Sequence, residues 1–259
     1  MPTTFAALPL AFVNSLTKYP SISTYQPLDG RGRVVDEPPV LPVGQNIIVT
    51  EKIDGTNARI VLAPDGDWLI GSRNELLTGR GDRVVRDADR IVETILGNGD
   101  RDGEIRCVST SEGPDDGHLT VLYGEVYGHK VGRNGKEYAS ASTAFRLFDV
   151  QTIRMDDAAR WALVSPEEVA AHRETGFAGK WNSAPGIPGW VPNLDVVWWP
   201  PNSPTSDGMP LTKADVRAWL EKYRASKAGI DVHGKAEGVV VRTADRSWIR
   251  KIRFEDYAR

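Results

Sequence analysis

The stretch "VTEKIDGTNARIVL", residues 49–62, sets a lysine between two apolar runs and follows it at once with a turn. Period-two alternation and β-branched residues make strands of NIIVTE (46–51) and NARIVLA (57–63), and Asp54-Gly55 supplies the turn between them. Lys52 therefore stands at a strand edge where the flanking pattern calls for burial. Taking an ammonium head out of water costs several kcal/mol unless the group is paired or loses its proton. Asp54 offers a partner; partial desolvation instead frees a lone pair for attack. The stretch by itself does not choose between a salt-bridged hairpin and a nucleophile.

Strand composition recurs at DWLIGS (67–72), LTVLYGEVYG (119–128), AFRLFDVQ (144–151), AEGVVVRT (236–243) and SWIRKIRF (247–254), far enough apart that the sheet pairing is non-local. Val84, Val85, Ala88, Ile91, Val92, Ile95 and Leu96 recur at helical spacing and predict an amphipathic helix over 84–97, stopped by Gly97. Ser165-Pro166 with Glu168, and Thr212 with Asp215, mark two further helix starts. Residues 98–118, rich in Gly, Asp and Ser around EIRCV, read as an exposed loop with room for one strand. Residues 180–208 hold four of the eight tryptophans and six of the seventeen prolines, which predicts an irregular connection pinned by aromatic packing. The apolar N-terminus MPTTFAALPLAFVNSL lacks a basic leading region, contains Pro9 and is too short to span a bilayer, so it reads as a packed edge segment. No clean linker interrupts the chain, and one α+β domain over 1–259 is expected.

Composition narrows the function classes. An apolar fraction of 40% over 259 residues supports a substantial core. The single cysteine, Cys107, excludes an intramolecular disulfide and a Cys-cluster zinc site, which makes the cytoplasm the default compartment. A net charge of -3, from 32 basic and 35 acidic residues, argues against a polycationic coat protein while leaving room for a local basic groove. His118, His129, His172 and His233 are scattered without zinc spacing; His233 alone lies near another chemistry-bearing residue, Glu237.

Six short segments in chain order add a more specific signal. EKIDGTN (51–57) resembles the Lys-x-Asp-Gly motif of the covalent nucleotidyltransferases, the superfamily of RNA ligases, DNA ligases and capping guanylyltransferases. GSRN (71–74), LYGEVYG (122–128), FRLFDV (145–150), AEGVVVR (236–242) and RKIRF (250–254) resemble the motifs that follow it. The asparagine in Lys-x-Asp-Gly-x-Asn and the Glu-Gly-Val-Val-Val-Arg segment are similar to the RNA ligase branch, in particular to enzymes of the phage T4 RNA ligase 2 type.

The resemblance implies a nucleotidyltransferase domain of mainly antiparallel sheets flanked by helices, with a nucleotide cleft between them. It casts Lys52 as the amine that attacks the α-phosphate of ATP, giving lysyl-AMP, with Glu237 and Lys251 sharing in the chemistry. Glu51, Asp54, Gly55, Asn57, Arg73, Glu125, Phe148, Lys251 and Arg253 are implied around the nucleotide, Phe148 as the ring on adenine with Phe145 as the competing choice. Asp54, Glu125 and Glu237 are implied near a Mg²⁺ or Mn²⁺ ion, through water. Lys251 and Arg253, two apart on one strand, share a face and suit the triphosphate, although many relatives carry lysine where Arg253 stands. The implied activity is ATP-dependent joining of RNA 3′-hydroxyl and 5′-phosphate ends, on nicked duplex. The sequence given ends six residues after Arg253, so no separate C-terminal or OB domain is expected and a nucleic-acid-binding partner subunit is a candidate. Plainer readings stand beside each residue: a salt bridge at Glu125, a solvated strand end at Arg73, an edge strand at Lys251, core packing for both phenylalanines. A nucleotide- or RNA-end-binding module without sealing, a GTP-dependent capping enzyme and a DNA ligase remain as alternatives. Trp190 and Trp198 offer stacking surface for bases, with structural packing favoured because few cations lie nearby.

Overall fold

Two antiparallel sheets, each with its own apolar core, organise the chain. The computed structural model describes residues 8–42, 44–79, 87, 89–97, 117–174, 180–182, 193–198 and 209–258. They divide into two compact units: residues 1–21, 55–126 and 143–182 contribute to the first, and 22–54, 127–142 and 183–259 to the second.

The first unit is built on a sheet of β2 (Thr56–Leu62), β3 (Trp68–Ser72), β4 (Leu76–Gly79), β5 (His118–Gly128), β6 (Thr143–Arg154) and β7 (Lys180–Asn182), in the order β4-β3-β2-β5-β6-β7. Helix α1 (Leu10–Leu16) buries Phe12, Val13 and Leu16 against Val61, Val121, Tyr123 and Ile153 of this sheet. The described part of the N-terminal edge segment thus carries a short amphipathic helix. Helices α2 (Ile91–Leu96), α3 (Met155–Trp161) and α4 (Pro166–Glu174) complete the unit. At α2 the Asp87 carboxylate accepts from the backbone N–H of Ile91 at 2.7 Å and of Val92 at 2.9 Å, satisfying two of the helix's orphan donors. The expected earlier turn, with Val84, Val85 and Ala88, lies outside the described residues, as does most of the 98–118 loop with Cys107. Helix α4 starts with the reciprocal box predicted for it: Ser165 N–H donates to Glu168 Oε2 at 3.0 Å and Glu168 N–H to Ser165 Oγ at 3.2 Å.

The second unit holds the sheet β10-β9-β1-β8, from β1 (Asn46–Lys52), β8 (Asn193–Trp198), β9 (Gly238–Arg242) and β10 (Ile249–Arg253). Ile47 and Val49, Val239 and Val241, and Ile252 form one face, covered by Val216, Trp219 and Leu220 of α5 (Lys213–Leu220). Thr212 caps α5 by accepting from the Asp215 N–H at 3.2 Å, as its spacing predicts. The outer edge of β10 is covered by residues 23–25, which precede β1: Lys251 N–H donates to Ser23 O and Tyr25 N–H to Lys251 O, both at 3.0 Å. That edge is closed, not left as an open template. Within residues 180–208 the described residues depart from the expected irregular connection: 180–182 and 193–198 form β7 and β8, the latter paired antiparallel along β1 from Asn46↔Trp198 to Thr50↔Asn193. A run as short as NLDVVW becomes a strand when a partner completes its hydrogen bonds, and proline-rich flanks hide it from a sequence reading. Trp190 lies outside the described residues. Among the described residues no helix is long and apolar enough to cross a membrane.

Candidate active site

Strand register explains where Lys52 points. Ile47 and Val49 face the core, so alternation puts Thr50 and Lys52 on the opposite face of β1. Lys52 is paired with Gly238, and Gly238 in turn with Arg253; one step on, Thr50 is paired with Val240 and Val240 with Lys251. The register thus sets Lys52, Lys251 and Arg253 on one face of one sheet. Gly238 keeps this crossing tight, since a Cβ there would lie 2.0 Å from Ile252 O and 2.8 Å from the Arg253 Cα.

Glu237, immediately before β9, brings its Oε2 to 2.5 Å from the Lys52 Nζ. The pair is only partly shielded, at 26% and 20% side-chain exposure, so solvent still reaches both heads. Burial pushes the Glu237 carboxyl above the ordinary glutamate range; the Lys52 charge opposes this, and the Asp54 charge adds to it. Asp54 itself is fixed from two sides. Asn134 Nδ2 donates to its Oδ2 at 2.6 Å, and its own N–H donates to the Tyr138 hydroxyl at 3.0 Å. Tyr138 is fully buried, and burial with the nearby carboxylates holds its phenol above the usual range.

Glu51 points the other way, onto the core face, and is 2% exposed. Its carboxylate accepts from Ser226 Oγ at 2.6 Å, Lys227 N–H at 2.7 Å and Ala228 N–H at 3.0 Å. Burial raises this carboxyl while the three donors pull it down, and burial wins. Arg253 is enclosed by acids: Nε and Nη2 donate to the Asp256 carboxylate at 3.0 and 2.8 Å, and Glu255 lies 2.6 Å from Nη1. Its guanidinium is held above its ordinary value by Asp256. The two-pronged contact with Asp256 is one a lysine at this position has no geometry to make.

In the first unit, register places Asn57 on β2 directly opposite Glu125 on β5. The Asn57 Oδ1 is buried with no hydrogen-bond partner. Glu125 is half-buried beside Gly124, and the Phe145 ring lies where a Gly124 side chain would be, 2.3 Å from an ideal Cβ. Phe148 instead packs on the α1 core and meets Tyr19 edge-on at 4.9 Å. Arg73 is exposed after β3, its Nη2 3.3 Å from Ser21 Oγ. Gly55 opens the turn into β2.

The structure brings Lys52, Asp54, Glu237, Lys251 and Arg253 into one unit and Asn57, Arg73, Glu125 and both phenylalanines into the other. Among the described residues no group of three or more His, Cys, Asp or Glu side chains converges as a closed metal cage. Sequence reasoning missed Asn134, Tyr138 and Ser226. Each lies 80 or more residues from the residue it holds, and GRNGKEYAS (132–140) shows locally only the composition of a turn.

No protein of curated function matches the chain. Among solved structures it is similar to variants of the Naegleria gruberi RNA ligase. One, with ATP and Mn, is 18% identical with a TM-score of 0.46, over 92% of this chain and 62% of that one. An apo variant gives 18% and 0.48, over 94% and 60%, and the same enzyme with PPi gives 18% and 0.46, over 92% and 62%. The chain spans about three fifths of the length of these relatives. The family model described as RNA ligase matches residues 45–256, a span that takes in β1 with its lysine, β5 with its glutamate and the closing pair β9 and β10. On that match the chain belongs to the RNA ligase family.

Proposed function

We propose that the chain is an ATP-dependent RNA ligase that works through a lysyl-AMP intermediate. The observation that carries this is the 2.5 Å contact between Lys52 Nζ and Glu237 Oε2, on the sheet face that also bears Lys251 and Arg253. An ammonium is no nucleophile; Lys52 becomes one by giving up a proton, and Glu237 is within reach to take it. The free amine attacks the α-phosphorus of ATP, a P–N bond forms, the α–β bridging P–O bond breaks, and pyrophosphate leaves. Lys251 and Arg253 offset the charge that builds on the leaving group, Arg253 by exchanging Asp256 for phosphate oxygens. AMP then passes to a 5′-phosphate end, and a 3′-hydroxyl displaces it to make the phosphodiester.

Asp54 and Glu237 present hard oxygen donors, and the charge of one is felt by the other, which fits a hydrated Mg²⁺ or Mn²⁺ held through water. Such an ion, when bound, neutralises phosphate charge. For the adenine ring we favour Phe145 over Phe148, because Phe148 is engaged with Tyr19 and the α1 core while Phe145 lies over Gly124 beside Glu125. Asn57, with a buried unpartnered oxygen, and Arg73, exposed and lightly held, are assigned to the nucleotide sugar and the RNA 5′-phosphate. Glu51 acts through the 226–228 loop it anchors. RNA ends on nicked duplex are the proposed substrate, a nucleic-acid-binding partner subunit the candidate helper, and the cytoplasm the proposed compartment.

Incubation with labelled ATP and Mn²⁺ tests this. An acid-labile covalent label, absent in Lys52→Ala and in wild type given only labelled GTP, is the expected result. Label from GTP alone points to capping chemistry, and no label from either nucleotide leaves a binding module. A nicked duplex with RNA or DNA on the 3′-hydroxyl side then identifies the strand sealed.

A further inference from the structure

Arg59, in the middle of β2, has no part in the chemistry above, yet it is among the most deeply buried side chains of the chain, at 0% exposure. Its Nη2 donates to Asn14 Oδ1 on α1, while Nε and Nη1 are buried with no hydrogen-bond partner. Opposite it on β3 stands Gly71, where even a Cβ would lie 3.0 Å from Nε, so the sheet leaves just enough room for a guanidinium. Burial pushes this group down to about 10; Tyr123 opposes the shift and Arg173 adds to it, and the group remains a cation at neutral pH. A buried cation with two unmet donors is a costly arrangement for a purely structural residue.

Two more cations converge on the same end of α1. Arg173 of α4, at 12% side-chain exposure, donates through Nη1 to Ser15 O at 2.7 Å. Lys18 follows α1 and is half-buried; burial, then Arg59, then Arg173 lower it, and Glu75 opposes them more weakly. Glu174, 3.1 Å from Arg173, is the one carboxylate within ion-pair distance of any of the three among the described residues. The cluster is graded in depth, with Arg59 as floor and Arg173 and Lys18 toward the outside. Three cations against one close carboxylate, with two free N–H donors at the bottom, suit a small tetrahedral oxyanion.

We propose that Arg59, Arg173 and Lys18 form a phosphate-binding pocket at the C-terminal end of α1, using none of the residues assigned to lysine adenylylation. The ligand is a phosphate group, borne on an RNA 5′ end or free in solution, and rotation of the Lys18 side chain admits it to the Arg59 floor. The full chain is titrated calorimetrically with inorganic phosphate against chloride at equal ionic strength, and with an RNA oligonucleotide carrying a 5′-phosphate against its 5′-hydroxyl counterpart. Wild type is expected to bind phosphate, Lys18→Gln to bind it roughly tenfold more weakly, and Arg59→Met to lose it, from the size of a charge-assisted hydrogen bond. Lys18 lies toward solvent, so its variant keeps the test valid should Arg59→Met fold poorly. Preference for the phosphorylated RNA that disappears in Lys18→Gln identifies the strand end as the source. Phosphate binding without that preference identifies the free ion, and either outcome sustains the pocket. No phosphate heat in wild type, or unchanged phosphate binding in both variants, overturns it. The lysyl-AMP assay does not enter, so the two readings stand or fall separately.

Discussion

Glu51 and Lys52 are neighbours in sequence with opposite fates, and period-two geometry is the cause. One side chain enters the core and the other the reactive face. The sequence points to both, but it does not say that the Glu51 carboxylate is taken up by Ser226, Lys227 and Ala228, because those partners are 175 to 177 residues away. Asn134 and Tyr138, 80 and 84 residues from Asp54, are hidden in the same way. The electrostatic consequence is testable. The Glu51 carboxyl is raised above its ordinary value of 4.5 in the folded chain, so the folded state holds that proton more tightly than the unfolded state. Its contribution to stability is therefore full below the ordinary value and is lost as pH rises through the raised one. Denaturant unfolding of wild type and Glu51→Gln across pH 4 to 8 is expected to show this loss in wild type and not in the variant. Parallel pH profiles would rule the linkage out. At the lowest pH the variant is expected to cost about 1–3 kcal/mol if its amide fits the three donors poorly.

At the scale of elements, legibility follows how local the cause is. The α4 and α5 starts were readable because a cap lies three residues from the group it satisfies. Strands β1, β2, β5, β6, β9 and β10 were readable because alternation and β-branching are local too. Strands β7 and β8 were not, since their existence depends on β6 and β1 as partners, and α3 was missed because MDDAARW directly continues a strand. Two substitutions separate these kinds of cause. Thr212→Ala removes a cap and is expected to cost about 1 kcal/mol. Gly238→Ala drives a methyl to within 2.0 Å of Ile252 O on the paired strand, against backbone that cannot turn aside. Its cost is expected at the upper end of the overpacking range, about 3 kcal/mol or more. Because Gly238 lies between Lys52 and Arg253 in register, lysyl-AMP formation is expected to fall further for Gly238→Ala than for Thr212→Ala at equal fraction folded. Equal activity per folded molecule in the two variants would separate the β9 crossing from the chemistry.

Taken as a whole molecule, the chain carries a net charge of -3, an unhelpful sign for a protein proposed to hold RNA. Attraction to phosphates along the strand must then come from individually placed cations, beside the Arg59, Arg173 and Lys18 cluster proposed for a single phosphate. Arg73 is exposed and lightly held, while Lys251 and Arg253, assigned to the ATP phosphates, are open to RNA phosphates only with no nucleotide bound, Arg253 by releasing Asp256. Each single-strand phosphate neutralised contributes about -0.7 to the slope of log affinity against log salt, so three contacts give a slope of about -2. That is shallow beside proteins that grip the backbone over an extended basic surface. Fluorescence anisotropy with a labelled RNA, over about 50 to 300 mM salt, measures it, and Arg73→Ala is expected to reduce the slope by about one contact, near 0.7. A slope steeper than about -4 would reveal a basic surface not named here. A slope indistinguishable from zero would mean that RNA, if bound, is held by stacking, which shifts weight back to the tryptophan-rich residues 181–199.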